Sequence, residues 1–275
     1  MSQTPGSNRR RALVTGASSG IGMAFAERLA SDGLDLILVA RRLSHLQDLA
    51  ERLKKAHGVQ VDVIRADLND AAALAEVEAA LAKEEALELL VNNAGFPGYS
   101  PFASVDAKVI DDLIGIHIRA VARTTRAALP GMIQRGRGGV INIASLLALT
   151  GTLPPTPLPP RAVYAGAKAF MLAFTQTLAG ELMGTGVRVQ VCLPGRVATE
   201  FLNTLHGIDT SKLPPAMSAA DVVAASLIAL SKDENVCVPG LADPKLLEGL
   251  AGAQLAVFRS AAMQSNLAER YRLTE

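Results

Sequence analysis

Thr15-Gly16-Ala17-Ser18-Ser19-Gly20-Ile21-Gly22 decides the fold of this chain. The apolar run 12–14 leads into it, and a segment of helical period, 21–31, leaves it. A strand, a glycine turn and a helix start therefore succeed one another. Glycines are costly inside regular elements, so three within 16–22 mark a backbone that needs unusual dihedrals or close approach. Between a strand end and a helix N-terminus they let a pyrophosphate rest on bare N–H groups at the positive end of the helix dipole. The spacing is G-x-x-x-G-x-G, distinct from the common G-x-G-x-x-G fingerprint. Alone it also fits a tight turn that binds nothing.

The pattern continues outward from this turn. Strand-like runs recur at 12–15, 34–40, 60–65, 87–91, 140–144, 187–193 and 236–238. Helix-period segments separate them at 21–31, 43–57, 71–85, 106–134, 162–184 and 219–231. Ser218-Ala219-Ala220-Asp221 reads as a capping box for the last of these. Strands apolar on both faces, alternating strictly with helices, predict an α/β fold: a doubly wound parallel sheet with helices on both faces. Residues 1–10 are expected to be a disordered polar tail. Residues 11–275 show no repeat and no dividing linker, so one domain is expected, with a helical tail from about 243.

Bulk properties remove several functions. A chain of 275 residues with 49% hydrophobic content can bury a sizeable core. Its net charge of +1 argues against a nucleic-acid binder. No apolar run is long enough to span a membrane, and the short one after Arg9-Arg10-Arg11 does not resemble a signal peptide. Cys192 and Cys237 lie in apolar runs and read as buried free thiols, consistent with a reducing cytoplasm. No His, Cys, Asp or Glu cluster has metal-ligand spacing, so no metal is expected.

Tyr164-Ala165-Gly166-Ala167-Lys168 opens a helix. Positions four apart share a face, so phenol and ammonium sit side by side. A neighbouring cation favours the phenolate, and such a tyrosine can exchange a proton with a carbonyl or alcohol oxygen. Ser145 ends the run 140–144 at the ligand edge of the sheet and could bond the same oxygen. Taken alone, a Y-x-x-x-K pair is commonly structural.

The glycine turn, Asn92-Asn93-Ala94-Gly95, Ser145, Tyr164 with Lys168, and Pro194-Gly195-Arg196-Val197-Ala198-Thr199 occur in the order and spacing of one family. The chain resembles the short-chain dehydrogenases/reductases from about Arg11 to Val238. The resemblance implies a seven-stranded Rossmann sheet holding a nicotinamide dinucleotide, with a small-molecule carbonyl or alcohol as substrate. It implies Tyr164 as general acid/base, Lys168 as ribose contact and modulator of the tyrosine, and Ser145 orienting the substrate oxygen. Gly16, Ser18, Ser19, Gly20, Ile21 and Gly22 would cradle the pyrophosphate. Asn93, Ala94 and Gly95 would line the adenosine side, while Asn92 ties strands together. Asp67 and Leu68 resemble adenine contacts, and Pro194, Gly195, Val197 and Thr199 resemble contacts to the nicotinamide end.

Three departures stand out. His117, within Ile116-His117-Ile118, stands where the family carries a catalytic asparagine. It could join a proton relay, since histidine titrates near ~6.5, or be an inert packed imidazole. Ser145 and Tyr164 lie further apart than is usual, and residues 153–161 between them hold five prolines. Pro239-Gly240-Leu241 replaces the family's glycine-rich ending.

The second strand-like run ends Ala40-Arg41-Arg42, with Asp35 at its far end. An acidic residue after this strand favours a free ribose hydroxyl, and arginine favours a 2′-phosphate. NADP(H) is therefore expected, with Arg41 on the phosphate and Arg42 either stacked on adenine or in a surface salt bridge. The stretches 153–161 and 200–215 are candidate covers for a substrate pocket lined by Phe96, Tyr99, Phe102, Leu147, Leu149, Leu153 and Phe201. Arg161 and Arg196 adjoin the site and fit an acidic substrate, a loop salt bridge or a cofactor contact. His206 lies in the second cover, whereas His45 and His57 read as solvated. The long segments from Asp106 and Ala162 are candidates for a subunit interface in a homodimer or homotetramer. The activity expected is reduction of an apolar ketone or aldehyde, or the reverse. One rival is a non-catalytic NADP-binding redox sensor. The other is a sugar-nucleotide epimerase or dehydratase, chains that usually show a different glycine spacing and a larger C-terminal substrate domain than are expected here.

Overall fold

The computed structural model describes residues 10–153, 158–200 and 215–272. Its strands are β1 Arg11–Thr15, β2 Asp35–Ala40, β3 Val61–Arg65, β4 Leu87–Asn92, β5 Gly138–Ile143, β6 Val187–Cys192 and β7 Val236–Cys237. They pair in parallel in the order β3-β2-β1-β4-β5-β6-β7. Successive side chains on a strand point to opposite faces. In β1, Ala12 and Val14 therefore pack on one face, with helices α1 Gly20–Ser31, α2 Leu43–His57 and α7 Ala219–Ser231. Leu13 packs on the other, with α3 Ala71–Lys83, α5 Ala120–Arg135 and α6 Ala162–Glu181. This is the doubly wound arrangement the sequence pattern requires. Ser218 caps α7 by accepting from Asp221 N–H and donating to its carboxylate.

The larger of two compact units ends at Pro239 and contains the whole sheet. The smaller begins at Gly240 and holds α8 Lys245–Ala262, in which no residue is buried.

Segment 106–134 departs from the single helix its period suggests. It divides into α4 Ala107–Ile114, a π turn Gly115–Arg119, and α5. The Ala120 N–H reaches back to the Gly115 carbonyl, the longer span that defines a π turn. Asn69, from the connection after β3, holds the turn. Its side-chain oxygen fills the space a Cβ on Gly115 would need, and its carbonyl accepts from Arg119 Nη2 at 2.7 Å.

Buried polar groups set the position of α6. Tyr164, Lys168, Met171, Thr175 and Leu178 form its buried stripe, spaced three and four apart. Asn92 and Asn142 are register partners on β4 and β5, and Asn92 Nδ2 donates to Asn142 Oδ1 at 2.9 Å. Asn142 Nδ2 donates onward to Thr175 Oγ1 at 2.9 Å. Thr124 and Thr125 of α5 bond the other side of Asn92. All five side chains are buried, and the two asparagine amides find their partners within this set, while Thr124 and Thr175 also donate to carbonyls of their own helices. Replacing Asn142 by Ala strips partners from both Asn92 and Thr175. The expected loss is about 2–4 kcal/mol in a chemical denaturation series; a loss below about 0.5 kcal/mol would show that the ladder carries no stability.

Candidate active site

The strand order reverses between β1 and β4, and open α/β sheets take ligands beyond the C-terminal ends of strands at such a point. Thr15 and Asn93 join the two strand ends. Thr15 Oγ1 accepts from the N–H of Asn93 at 2.9 Å and of Ala94 at 3.1 Å. Asn93 Nδ2 donates to the carbonyls of Thr15 and Gly16 at 3.0 and 3.3 Å. The glycine turn is thus pressed against β4. Gly16 has φ +66, and a Cβ there would lie 2.8 Å from Ala94 Cα. Ser19 caps α1 with no side-chain bond, and the first turn carries no acidic residue. A helix N-terminus free of a carboxylate, behind a close-packed glycine turn, fits a dinucleotide pyrophosphate. The backbone of Ser18 to Gly22 would hold it. Thr199 faces Gly20 from across the crevice.

The two arginines after β2 differ in their surroundings. Arg41 is 75% exposed, and its Nη1 is 3.8 Å from Asp67. Arg42 donates from Nε and Nη2 to Ser18 Oγ at 3.2 and 3.1 Å, and from Nη2 to the Ser18 carbonyl. Its Nη1 pairs with Glu200 at 3.1 Å. Arg42 therefore lies on the glycine turn, in the surface salt bridge that is one of the two arrangements its sequence position allows. Asp35 is buried at the opposite end of β2, accepting from Gln60 N–H. Leu68 is buried beside Asp67.

Ser145, Tyr164 and Lys168 come together at the end of β5. The Ser145 hydroxyl and the Tyr164 phenol are hydrogen-bonded to each other, and Ser145 Oγ also accepts from Leu147 N–H at 3.1 Å. Lys168 Nζ donates to the Ile143 carbonyl at 2.8 Å and lies 5.6 Å from the centre of the Tyr164 ring. Tyr164 and Lys168 are both buried. Burial pushes the phenol well above its ordinary range, and Tyr99 adds to this, against the Ser145 hydrogen bond. Burial also pulls the lysine down to about 7. Desolvation, which disfavours both charged forms, thus outweighs the attraction expected between them.

His117 sits in the π turn. Its Nε2 is 3.0 Å from the Phe96 carbonyl, which can only accept, so this nitrogen carries the proton. Nδ1 is buried without a hydrogen-bond partner among the described residues. The ring takes the volume a Cβ on Gly95 would fill. Desolvation, and next the charge of Lys168, hold the imidazole well below its usual pKa. The His117 ring lies 5.4 Å from that of Tyr164, nearly perpendicular. Tyr99 lies 5.2 Å from Tyr164 on the same kind of contact. Tyr99 was legible as an aromatic near the pocket, but its contact with Tyr164 was not.

The segments expected to cover the site are tied at their flanks. Arg161 donates to Thr150 Oγ1 at 2.9 Å and to the carbonyls of Thr150 and Pro159. Its guanidinium is committed to the loop instead of facing an acidic substrate. Leu146 N–H bonds the Pro194 carbonyl at 3.0 Å. Beyond Gly195, Val197 pairs with Met217, which draws the ends of the second cover together. The prolines at 154, 155 and 157, with Phe201 and His206, lie outside the described residues. Cys192 and Cys237 are buried, free register partners on β6 and β7.

Known proteins share this arrangement. A family model described as short chain dehydrogenase matches residues 10–207. The chain is 33% identical over 235 residues to the very-long-chain 3-oxoacyl-CoA reductase of Anas platyrhynchos, covering 83% of this chain and 72% of that protein. A solved short-chain dehydrogenase from Sphingobium yanoikuyae, in complex with NADPH, superposes with TM-score 0.89 at 36% identity, over 96% of this chain and 100% of that one. The bulky-bulky ketone specific alcohol dehydrogenase from Comamonas testosteroni superposes with TM-score 0.85 at 34% identity, over 96% and 99%. The family match runs from the first strand through Ser145, Tyr164 and Lys168 into the second cover, and on that basis the chain belongs to the short-chain dehydrogenase family.

Proposed function

We propose that this chain is an NADP(H)-dependent oxidoreductase that interconverts a bulky apolar ketone and its secondary alcohol. The observation that carries the reading is the Ser145–Tyr164 hydrogen bond with Lys168 one helical turn along. A redox sensor has no need of that assembly. When bound, the nicotinamide supplies or accepts the hydride. Ser145 orients the carbonyl oxygen with a hydrogen bond, and Tyr164 donates its proton to the same oxygen. Burial keeps Tyr164 in the phenol form, ready to meet a ketone as a donor. Lys168, fixed by the Ile143 carbonyl, stands beside the Tyr164 ring, and in this reading it would contact the nicotinamide ribose.

Two neighbours support the finer parts of the reading: one similar structure holds NADPH, and another is named for bulky-bulky ketones. The half-buried apolar residues Phe96, Leu147 and Leu149 around the site suit such a substrate. Arg41 and Arg42 support the 2′-phosphate, one exposed and the other laid on Ser18.

Three measurements test this. With NADPH and a panel of bulky ketones, followed at the nicotinamide absorbance, Tyr164→Phe is expected to lose nearly all turnover while binding NADPH normally. A fully active variant removes the proposed chemistry. For the cofactor, Arg41→Ala and Arg42→Ala are each expected to raise Kd for NADPH about tenfold more than Kd for NADH. Glu200→Gln, which releases Arg42, is expected to tighten NADPH binding about two- to fivefold, the worth of an exposed pair. Unchanged discrimination removes the residue concerned from the phosphate site. For Lys168, the folded pKa of about 7 lies below the ordinary 10.5. Between these values the unfolded chain holds a proton that the folded one has released, so stability rises with pH across that window. The cofactor-free protein is expected to gain up to ~1.4 kcal/mol per pH unit there from this group. Lys168→Met flattens that rise and is more stable than wild type at pH 6. Identical pH profiles of urea midpoints would show a lysine that is not desolvated.

A further inference from the structure

His117 is the residue that fits neither the proposed chemistry nor an ordinary core. It is 1% exposed, stands in a π turn, and touches both the segment after β4 and α6. Its Nε2–H holds the Phe96 carbonyl, so it fixes the segment that leaves β4. Three residues further on, that segment carries Tyr99. Both rings then meet Tyr164 edge to face: His117 at 5.4 Å and 89°, Tyr99 at 5.2 Å and 84°. The contacts form one connected set, from the π turn through Phe96 and Tyr99 to the phenol and back to the imidazole.

We propose that His117 and Tyr99 form an aromatic clamp that fixes the ring of Tyr164, with His117 a positioning residue and not a carrier of protons. The inference rests on Tyr164 being the proton donor, as proposed above. Its argument is geometric. A phenol must hold its oxygen within hydrogen-bond reach of the substrate oxygen, and a misplacement of about 1 Å can cost on the order of a hundredfold in rate. Ser145 acts on Tyr164 at its oxygen, and a contact there does not by itself set the tilt of the ring. The two perpendicular ring contacts bear on that tilt directly. His117 cannot approach unless position 95 lacks a Cβ, and Gly95 meets that condition. The same geometry speaks against a relay. Nε2–H is committed to a carbonyl that cannot pass a proton on, and Nδ1 is buried with no partner among the described residues. Burial, and next the charge of Lys168, also disfavour the imidazole's cation. Tyr99 is held neutral too, its phenol pushed up to about 12 by burial. It therefore contributes a ring and not a charge.

The test is steady-state kinetics with NADPH and one bulky ketone. Perpendicular aromatic pairs are worth about 0.5–1.5 kcal/mol, which converts to roughly two- to tenfold in rate. Tyr99→Leu is expected to lower kcat by that factor while Kd for NADPH stays at the wild-type value. Tyr99→Phe, which keeps the ring, is expected to recover most of the loss. His117→Gln keeps a donor for Phe96 but no ring. It is expected to lower kcat similarly and to leave every inflection of the pH–kcat profile between pH 5 and 8 in place. Tyr99→Leu with wild-type kcat, or Tyr99→Phe as impaired as Tyr99→Leu, overturns the clamp. So does a His117→Gln profile that loses an inflection in that range, which would make His117 a relay. Tyr99 is half-buried and outside any helix or strand, so its variants decide the matter even where a His117 variant does not fold. Tyr164→Phe, run alongside, separates the two failures. Full activity there defeats the proposed chemistry, whereas an inactive Tyr164→Phe with unaffected clamp variants defeats only this inference.

Discussion

The candidate site depends on one constraint: the groups proposed to do chemistry share a helix face with the core. On α6 the stripe that begins Tyr164 and Lys168 continues through Met171, Thr175 and Leu178 into the sheet. The helix cannot rotate to expose the first two without pulling the last three out of the core. Nor can it slide, because Thr175 is held by Asn142, and Asn142 by its register partner Asn92. Apolar packing alone resists large motions but tolerates small ones. A buried polar ladder specifies position more narrowly, because a shift leaves hydrogen-bonding groups stranded away from water.

That constraint sets the electrostatics. A tyrosine and a lysine taken into the core lose hydration together, so each is driven toward its neutral form. The adjacency of a phenol and an ammonium on successive turns suggests mutual stabilisation of charge. Burial tips the balance the other way, toward the neutral form of each. The same burial explains Lys168 Nζ resting on the Ile143 carbonyl, which replaces one of the water contacts it has given up.

Most of the fold was legible because it rests on local pattern. The seven strands fall within two residues of the apolar runs, and α2 and α7 agree with their periodic segments at both ends. The glycine turn, Ser145, Tyr164 and Lys168 were legible because each lies at a fixed offset from a strand end or on one helix face. The features that were not legible rest on residues far apart in the chain. No proline or capping residue marks the π turn. Asn69, 50 positions before Arg119, makes it. Arg42 and Glu200 are separated by 158 positions, and nothing in either neighbourhood announces the pair. Arg161, just before α6, has the chemistry of an anion site. Only its contacts show that its donors are already taken by the Thr150 hydroxyl and by the carbonyls of Thr150 and Pro159.

His117 shows how a local motif and a distant residue can determine one another. Gly95 belongs to the Asn92-Asn93-Ala94-Gly95 motif, and its lack of a Cβ leaves room beside β4. An asparagine at position 117 would use little of that room. An imidazole fills it, and in filling it comes within reach of both the Phe96 carbonyl and the Tyr164 ring. The π turn matters here because it adds a residue to the helical turn and rotates α5 relative to α4. The substitution is therefore accommodated by features present for other reasons: a glycine in a crevice motif and a widened turn held by Asn69. A residue that breaks the family pattern is in this way bound into its geometry, packed against the phenol proposed as the proton donor.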